Sequence, residues 1–220
     1  MQQEINGFRT ANPSADPNGL YIVWAGANDY LGGGVTNPTG PVSNLSTAVT
    51  SLASVGARNF LVVNLPNLGQ LPGTRTTPNS GPLNTLTAAH NSGLTASLNN
   101  LSQTLGPNVN IIPFNVNAVV NEAIANPAQF GFTNVTDACL TPVGVCSTPN
   151  QYVFWDAIHP TTAAYSIVAD EAFSTLQAQA VPEPSSAVGI LAFGALGAAS
   201  MLKRKPKKVS FVKASSDKSV

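Results

Sequence analysis

Residues 20–29 read LYIVWAGAND, and this stretch decides the fold. Six apolar residues in succession are preceded by a turn sequence at 17–19 (PNG) and followed by Gly26. A short continuous apolar run between turn signals is typical of a strand buried in a parallel sheet. The stretch therefore predicts a buried parallel strand over residues 20–25, with polar residues at its carboxyl end.

Strands and helices alternate along the chain that follows. Apolar runs and helical spacing predict strands at 58–65, 109–114 and 152–155 and helices at 42–56, 83–105, 116–125 and 161–178, with an irregular loop at 126–150. This order predicts an α/β fold in three layers, with a parallel sheet between helices. Right-handed crossovers place the carboxyl ends of all the strands at one edge, where ligands bind.

Composition narrows the classes of function. The chain has 43% hydrophobic and 9% charged residues, which argues against disorder. Residues 1–180 carry three basic and eight acidic side chains, a net charge of −5. An acidic body binds phosphate backbones poorly, so we expect no nucleic-acid partner.

A candidate acid–base pair lies just before the last predicted helix, in residues 156–161 (DAIHPT). A tight turn holds its first and fourth Cα atoms within about 7 Å, so Asp156 can meet His159. A histidine that acts as a general base needs a carboxylate to orient its ring and stabilise its imidazolium. Seen alone, the pattern also describes a capped turn with an ordinary surface histidine.

A candidate oxyanion site follows the first strand. Gly26 allows a sharp turn there, and Asn28 can then offer its amide N–H to a developing negative charge. Asp29 can accept backbone N–H groups and hold the loop. The alternative interpretation of this stretch is a simple Asx-turn.

Taken together, the G-A-N-D and D-A-I-H-P motifs and residues 63–69 (VNLPNLG) resemble the GDSL/SGNH hydrolase family over about residues 1–180. The resemblance implies an SGNH/flavodoxin-like sheet, an ester or lipid substrate and no cofactor. It implies Asn28 as an oxyanion-hole donor, Gly26 as its supporting turn residue and Asp29 as a brace behind the loop. Asp156 and His159 would be the acid and base of a Ser-His-Asp triad.

The nucleophile of that triad departs from the family pattern. The family places its serine in a G-D-S block after the first strand, upstream of the G-A-N-D block, and the sequence contains no G-D-S. Ser14 has no strand before it and is not a candidate. We therefore expect the first strand and its G-D-S segment to be missing and the fragment to be inactive. The alternative is a non-catalytic surface or matrix protein derived from a hydrolase.

Residues 181–220 form a separate tail. It has P-E-P at 182–184, an uncharged apolar stretch at 185–202 and the basic cluster KRKPKK at 203–208. Eighteen uncharged residues suffice for a transmembrane helix, and the basic cluster then stays cytoplasmic, which places the hydrolase domain outside. The tail resembles a PEP-CTERM sorting signal, which implies export in a bacterium and processing by an exosortase-like enzyme.

The chain has two cysteines and two histidines. An exported protein favours a disulfide between Cys139 and Cys146, with two free thiols as the alternative. His90 lies within the long predicted helix, and we interpret it as a structural histidine. With no ligand cluster around it, no metal site is expected.

Overall fold

The fold is given by a computed structural model that describes residues 1–180, so the predicted membrane span at 185–202 lies outside the described residues. The strands are β1 (Leu20–Val23), β2 (Asn59–Val63), β3 (Asn110–Phe114), β4 (Asn134–Ala138), β5 (Leu140–Thr141), β6 (Gly144–Val145) and β7 (Tyr152–Phe154). The α-helices are α1 (Gln2–Ala11), α2 (Ala27–Leu31), α3 (Thr39–Ser54), α4 (Ser80–Thr104), α5 (Val116–Ala125) and α6 (Thr162–Ala180).

A three-stranded parallel sheet forms the centre, in the order β1-β2-β3. Its register sets Leu20 opposite Asn59 and Asn59 opposite Asn110. The predicted mixed α/β class with a parallel sheet is therefore confirmed. The carboxyl ends of these strands lie at one edge, and the G-A-N-D block follows the first of them.

Both faces of β2 are buried, which explains its continuous apolar sequence. Phe60 and Val62 pack in one core cluster with side chains of α3 and α4. Leu61 and Val63 lie in a second cluster, against which side chains of α5 and α6 pack. Alternate side chains of β2 thus pack against helices on opposite faces of the sheet.

The predicted burial of β1 is wrong for most of the strand. Ile22 is 62% exposed and Leu20 43% exposed, while Val23 is buried. The physical reason is pairing: within residues 1–180, β1 is hydrogen-bonded to β2 alone and forms an edge of the sheet. Its apolar sequence fits an inner strand, but its position in the described residues is at the rim.

Two regions are more regular than the sequence indicates. Helix α1 covers residues 2–11, and it packs Phe8 edge-on against Tyr21 with ring centroids 5.9 Å apart. The loop predicted at 126–150 contains β4, which pairs in parallel with β7, and the hairpin β5–β6. These strands position the segment that carries Asp156 and His159.

Among the helices of residues 1–180, none combines the length and the apolar character that a bilayer crossing requires.

Candidate active site

Gly26 forms the turn between β1 and α2. Its φ is +112°, a left-handed value that favours glycine, and α2 starts at the next residue. The N–H of Asp29 donates to the Gly26 carbonyl at 3.2 Å, which closes the first turn of the helix. Asn28 lies in this turn with an exposed side chain. The turn thus presents the Asn28 amide at the carboxyl edge of the sheet.

Asp29 holds the loop through its main chain. Its carbonyl accepts a hydrogen bond from the Val35 N–H at 2.9 Å. The bracing that we expected from its carboxylate does not occur in residues 1–180, where this side chain makes no hydrogen bond. The carboxylate is half-buried and acts on its surroundings through its charge.

Asp156 and His159 form a close pair. The Nδ1 atom of His159 lies 2.8 Å from Oδ2 and 3.1 Å from Oδ1 of Asp156. The same carboxylate accepts the backbone N–H groups of Ile158 at 2.8 Å and His159 at 2.7 Å through Oδ1. The carboxylate therefore caps the turn and orients the ring at once, so both alternatives weighed from the sequence describe part of the geometry.

Two opposing effects set the charge of Asp156. Partial burial acts to raise the pKa of its carboxyl. The hydrogen bonds from Ile158 N–H and from the ring and N–H of His159 outweigh burial, so the pKa lies below its ordinary value. The carboxylate is ionised at neutral pH. This charge favours an imidazolium at His159 when the ring accepts a proton.

Neighbouring elements fix the loop that carries the pair. The carbonyl of His159 accepts the Trp155 N–H at 2.7 Å, and the carbonyl of Ala157 accepts the Gly73 N–H at 2.9 Å. Thr161, which is 3% exposed, donates its hydroxyl to the Tyr152 carbonyl at 2.7 Å. These bonds tie both ends of the loop to β7 and its middle to residues 68–73.

One cavity of about 520 Å³ brings the two motifs together. Gly26, Asn28 and Asp29 line it from the end of β1, and His159 lines it from the loop after β7. Much of the remaining wall is apolar and includes Leu65, Leu68, Val116, Phe132, Ile167 and Val168. The arrangement provides a base, its charged partner and an amide donor beside an apolar volume.

The two cysteines lie next to this loop. Cys139 and Cys146 are joined by a disulfide across the β5–β6 hairpin, with Cα atoms 4.9 Å apart. The N–H of Cys139 donates to the Phe154 carbonyl at 3.1 Å, and Leu140 donates likewise to Trp155. The bridged hairpin therefore rests on the strand that leads to Asp156.

His90 contacts the site, which the sequence analysis did not anticipate. It is fully buried, and a Cβ atom added at Gly26 would lie 3.0 Å from its Cε1 atom. Its spacing of four residues from Leu94, which is also buried, indicates that it shares the buried face of α4. That signal predicts burial, but nothing local to residue 90 identifies Gly26 as its neighbour.

Comparisons with known proteins identify the family of the chain. A profile described as GDSL-like Lipase/Acylhydrolase matches residues 1–172, and the PEP-CTERM protein-sorting motif matches residues 180–205. The resemblance to the GDSL/SGNH hydrolase family and the sorting motif expected from the sequence are thereby both confirmed.

Three relatives illustrate the similarity. An uncharacterized protein of the trpE-trpG intergenic region in Pseudomonas putida is 34% identical over 193 residues, covering 80% of this chain and 32% of the relative. A GDSL esterase/lipase of Arabidopsis thaliana is 31% identical over 201 residues, covering 77% of this chain and 56% of the relative. Esterase EstA of Pseudomonas aeruginosa is 32% identical over 181 residues, covering 74% of this chain and 27% of the relative.

The chain thus corresponds to between 27% and 56% of the length of these relatives. The family profile nevertheless covers most of the chain itself, including the G-A-N-D turn and the Asp156–His159 pair. The chain belongs to the GDSL-like lipase/acylhydrolase family.

Proposed function

We propose that this chain supplies the acid–base pair and one oxyanion donor of an exported ester hydrolase that works by a Ser-His-Asp mechanism. One observation supports the proposal above all. His159, whose ring is paired with Asp156, lies on the wall of the same cavity that Asn28 and Gly26 line. Two motifs separated by more than a hundred residues meet beside a volume that can hold an ester.

His159 is the general base in this mechanism. Asp156 engages its Nδ1 atom, which leaves Nε2 to take the proton of a serine hydroxyl as that oxygen attacks the ester carbonyl. The ring later returns the proton to the leaving alcohol. Positioned proton transfer of this kind accelerates a reaction by about 10²- to 10⁴-fold.

Asn28 stabilises the tetrahedral intermediate. Its amide N–H donates to the oxygen that becomes negative, and a donor of this kind contributes about 10²- to 10³-fold in rate. Gly26 sets the direction of the amide through its left-handed turn. The apolar wall of the cavity favours the acyl part of an ester or lipid substrate.

The nucleophile requires a G-D-S block, which residues 1–220 do not contain. We therefore propose that these residues by themselves do not turn over esters. The PEP-CTERM motif at 180–205 supports export and membrane anchoring in a bacterium, with the hydrolase domain outside and exosortase-like processing near the P-E-P sequence. Residues 185–202 would form the anchor.

The coding DNA upstream of the Met1 codon provides the first test. We expect an in-frame segment that encodes a signal peptide, a strand, G-D-S and a helix. A stop codon directly upstream would contradict the hydrolase proposal.

Hydrolysis of a short p-nitrophenyl ester provides the second test. We expect no His159-dependent rate from residues 1–220. The polypeptide that includes the G-D-S segment should turn over the ester, and His159→Ala should reduce that rate by about 10²-fold or more. Turnover that survives His159→Ala would show that this ring is not the base.

A second candidate function rests on the same missing motif. The chain would then be a non-catalytic, anchored surface or matrix protein derived from a hydrolase. An extended polypeptide that carries G-D-S and shows His159-dependent turnover would exclude it. A chain that binds surface polymers but never hydrolyses esters would favour it.

A further inference from the structure

A buried histidine lies directly beneath the turn that presents Asn28. His90 is 0% exposed, and its ring rests against Gly26: a Cβ atom built there would lie 3.0 Å from Cε1 and 3.6 Å from Nε2. The glycine therefore permits both the left-handed turn and the close approach of the imidazole. Any side chain at residue 26 would push the ring and the turn apart.

The same ring also holds the other end of the turn. The Oη atom of Tyr30 lies 2.8 Å from Nδ1 of His90, and the two rings meet edge to face with centroids 5.7 Å apart. Tyr30 is 6% exposed and belongs to α2. His90 thus contacts residues 26 and 30, and Asn28 lies halfway between them.

The hydrogen-bonding needs of the pair favour one direction for the bond. If Tyr30 donates its O–H to Nδ1, the one polar group of the pair left without a partner within residues 1–180 is the Nε2–H of His90. If Nδ1–H donates instead, both Nε2 and the tyrosine O–H lack partners there. The first arrangement leaves fewer buried polar groups without a hydrogen-bond partner. Each such group costs about 1–3 kcal/mol.

The surroundings keep the ring neutral. Burial lowers the pKa of His90, and the nearby charge of Asp29 only partly opposes this effect. Burial likewise raises the pKa of Tyr30 to about 12, with a further contribution from Asp29. Both partners therefore remain uncharged at neutral pH, so the tyrosine hydroxyl keeps its proton to donate.

We propose that His90 is a positioning residue that fixes the Gly26–Tyr30 turn, and through it the direction of the Asn28 amide, by packing under Gly26 and accepting the Tyr30 hydroxyl. The inference rests on the proposed function in one respect: orienting Asn28 matters for catalysis only if Asn28 is the oxyanion donor. His90 itself touches no reacting atom. Its effect on the turn is a property of the folded chain and is measurable without a substrate.

Amide hydrogen exchange of the full chain, followed by NMR, tests the proposal. The reporters are the N–H groups of Asp29, which donates to Gly26, and of Gly32 and Gly33, which donate to Asn28. His90→Phe keeps an aromatic ring but removes both nitrogens. Tyr30→Phe removes only the hydroxyl. We expect each to accelerate exchange at the reporters by about 2- to 10-fold relative to the amides of β2.

Two further variants separate positioning from simple core filling. His90→Asn keeps an amide oxygen at the position of Nδ1 as an acceptor for the Tyr30 hydroxyl and should restore part of the protection that His90→Phe removes. Leu94→Ala makes a larger core lesion one turn along α4, at a residue 1% exposed. We expect it to lower global stability without a selective effect at the reporters.

The outcomes divide clearly. Unchanged exchange at the reporters in Tyr30→Phe, or equal effects of His90→Phe and His90→Asn, would overturn the positioning role. If His90→Phe fails to fold, Tyr30→Phe still decides, because it leaves the imidazole in place. Nitrogen NMR of the ring should show hydrogen on Nε2 in the wild type. None of these results depends on ester hydrolysis, so they can fail while the hydrolase proposal stands.

Discussion

The carboxylate of Asp156 has three hydrogen-bond donors within three residues of its own position. Two are backbone N–H groups, and the third is the Nδ1 side of His159. This local pairing is why the motif could be predicted from spacing alone. A turn fixes the distance between its first and fourth residues, whatever the rest of the fold does.

The depressed pKa of Asp156 predicts a pH dependence of stability. The pKa in the folded state lies below the ordinary 3.8, so the contribution is complete above that value and is lost as the pH falls through the folded-state pKa. We expect Asp156→Asn to be less stable than wild type at pH 7, with the difference shrinking near pH 3. Denaturant titrations at both pH values measure it. The exposed Asp170→Asn serves as a control and should show no such change.

Gly26 allows a sharp comparison between two glycines of positive φ. Gly26→Ala places a methyl group 3.0 Å from the His90 ring in addition to straining the backbone. In Gly34→Ala the new methyl group has no heavy atom within 4 Å, so the only cost is backbone strain at φ +65°. We expect losses in unfolding free energy of about 2–4 kcal/mol at Gly26 and about 1 kcal/mol at Gly34. Equal losses would contradict the contact with His90.

The partner of His90 could not be predicted from the sequence. Helical spacing places residue 90 with Leu94 on a buried face, but Tyr30 lies sixty residues away along the chain. Only the packing of α4 against the end of β1 brings them together. The role assigned to His90 in the sequence analysis, a structural histidine, did not anticipate its contact with the turn.

Helix α4 is bonded to the carboxyl end of β2 through one side chain. Asn91 accepts the Leu65 N–H at 2.9 Å and donates to the Leu65 carbonyl at 2.8 Å. Asn117 also donates to that carbonyl, at 3.2 Å. Loss of Asn91 therefore leaves mainly the N–H without a partner, at a residue with 0% exposure.

We expect Asn91→Ala to lower the unfolding free energy by about 1–3 kcal/mol, because a buried backbone donor loses its acceptor. Asn99→Ala on the exposed side of the same helix provides the matched control and should change stability by less than about 0.5 kcal/mol. Urea titration of both variants gives the comparison. Similar small losses in both would show that water satisfies Leu65.

The disulfide stabilises the hairpin beside β7. A bridge that closes so short a loop contributes about 2 kcal/mol by restricting the unfolded chain. We expect reduction to lower the unfolding free energy by that amount, as measured by denaturant titration with and without a reductant. The Cys139→Ser/Cys146→Ser double variant should be insensitive to reductant. A wild-type protein equally stable in both conditions would contradict the prediction.

Sequence reasoning succeeded where an element buries a continuous apolar stripe. Helix α5 matches the predicted residues 116–125, and Asn115 caps it by accepting the Ala118 N–H. It failed for α1, which has no buried residue, and for β4, whose sequence NVTDA has little apolar alternation. Such elements form because neighbouring parts of the chain stabilise them. The hydrophobic patterns of their own sequences therefore predict them poorly.

The central sheet ends at an edge with apolar side chains. Within the described residues β1 pairs on one side only, and Ile22 and Leu20 are largely exposed there. The sequence predicted the parallel class correctly, because continuous apolar strands alternating with helices favour it. It misjudged the burial of β1, since burial depends on which strands stand beside it and not on its own residues.

The apolar edge that β1 forms within residues 1–180 predicts self-association through strand pairing. We expect Ile22→Lys to reduce concentration-dependent association of the full chain, as measured by sedimentation velocity. Phe173→Lys on α6 removes a side chain that is similarly exposed, at 60%, but lies off the sheet. It should leave the association unchanged. Equal effects of the two variants would assign the association to general surface hydrophobicity.

The turn from Asp156 to His159 closes on itself, and this has a practical consequence. The hydrogen bonds that fix its shape lie within four residues, so the turn forms whether or not a nucleophile is present. Nitrogen NMR of the His159 ring therefore reports the hydrogen bond between Nδ1 and Asp156 even in a polypeptide that hydrolyses nothing. Formation of the Asp156–His159 pair and hydrolysis of an ester thus become two separately observable quantities.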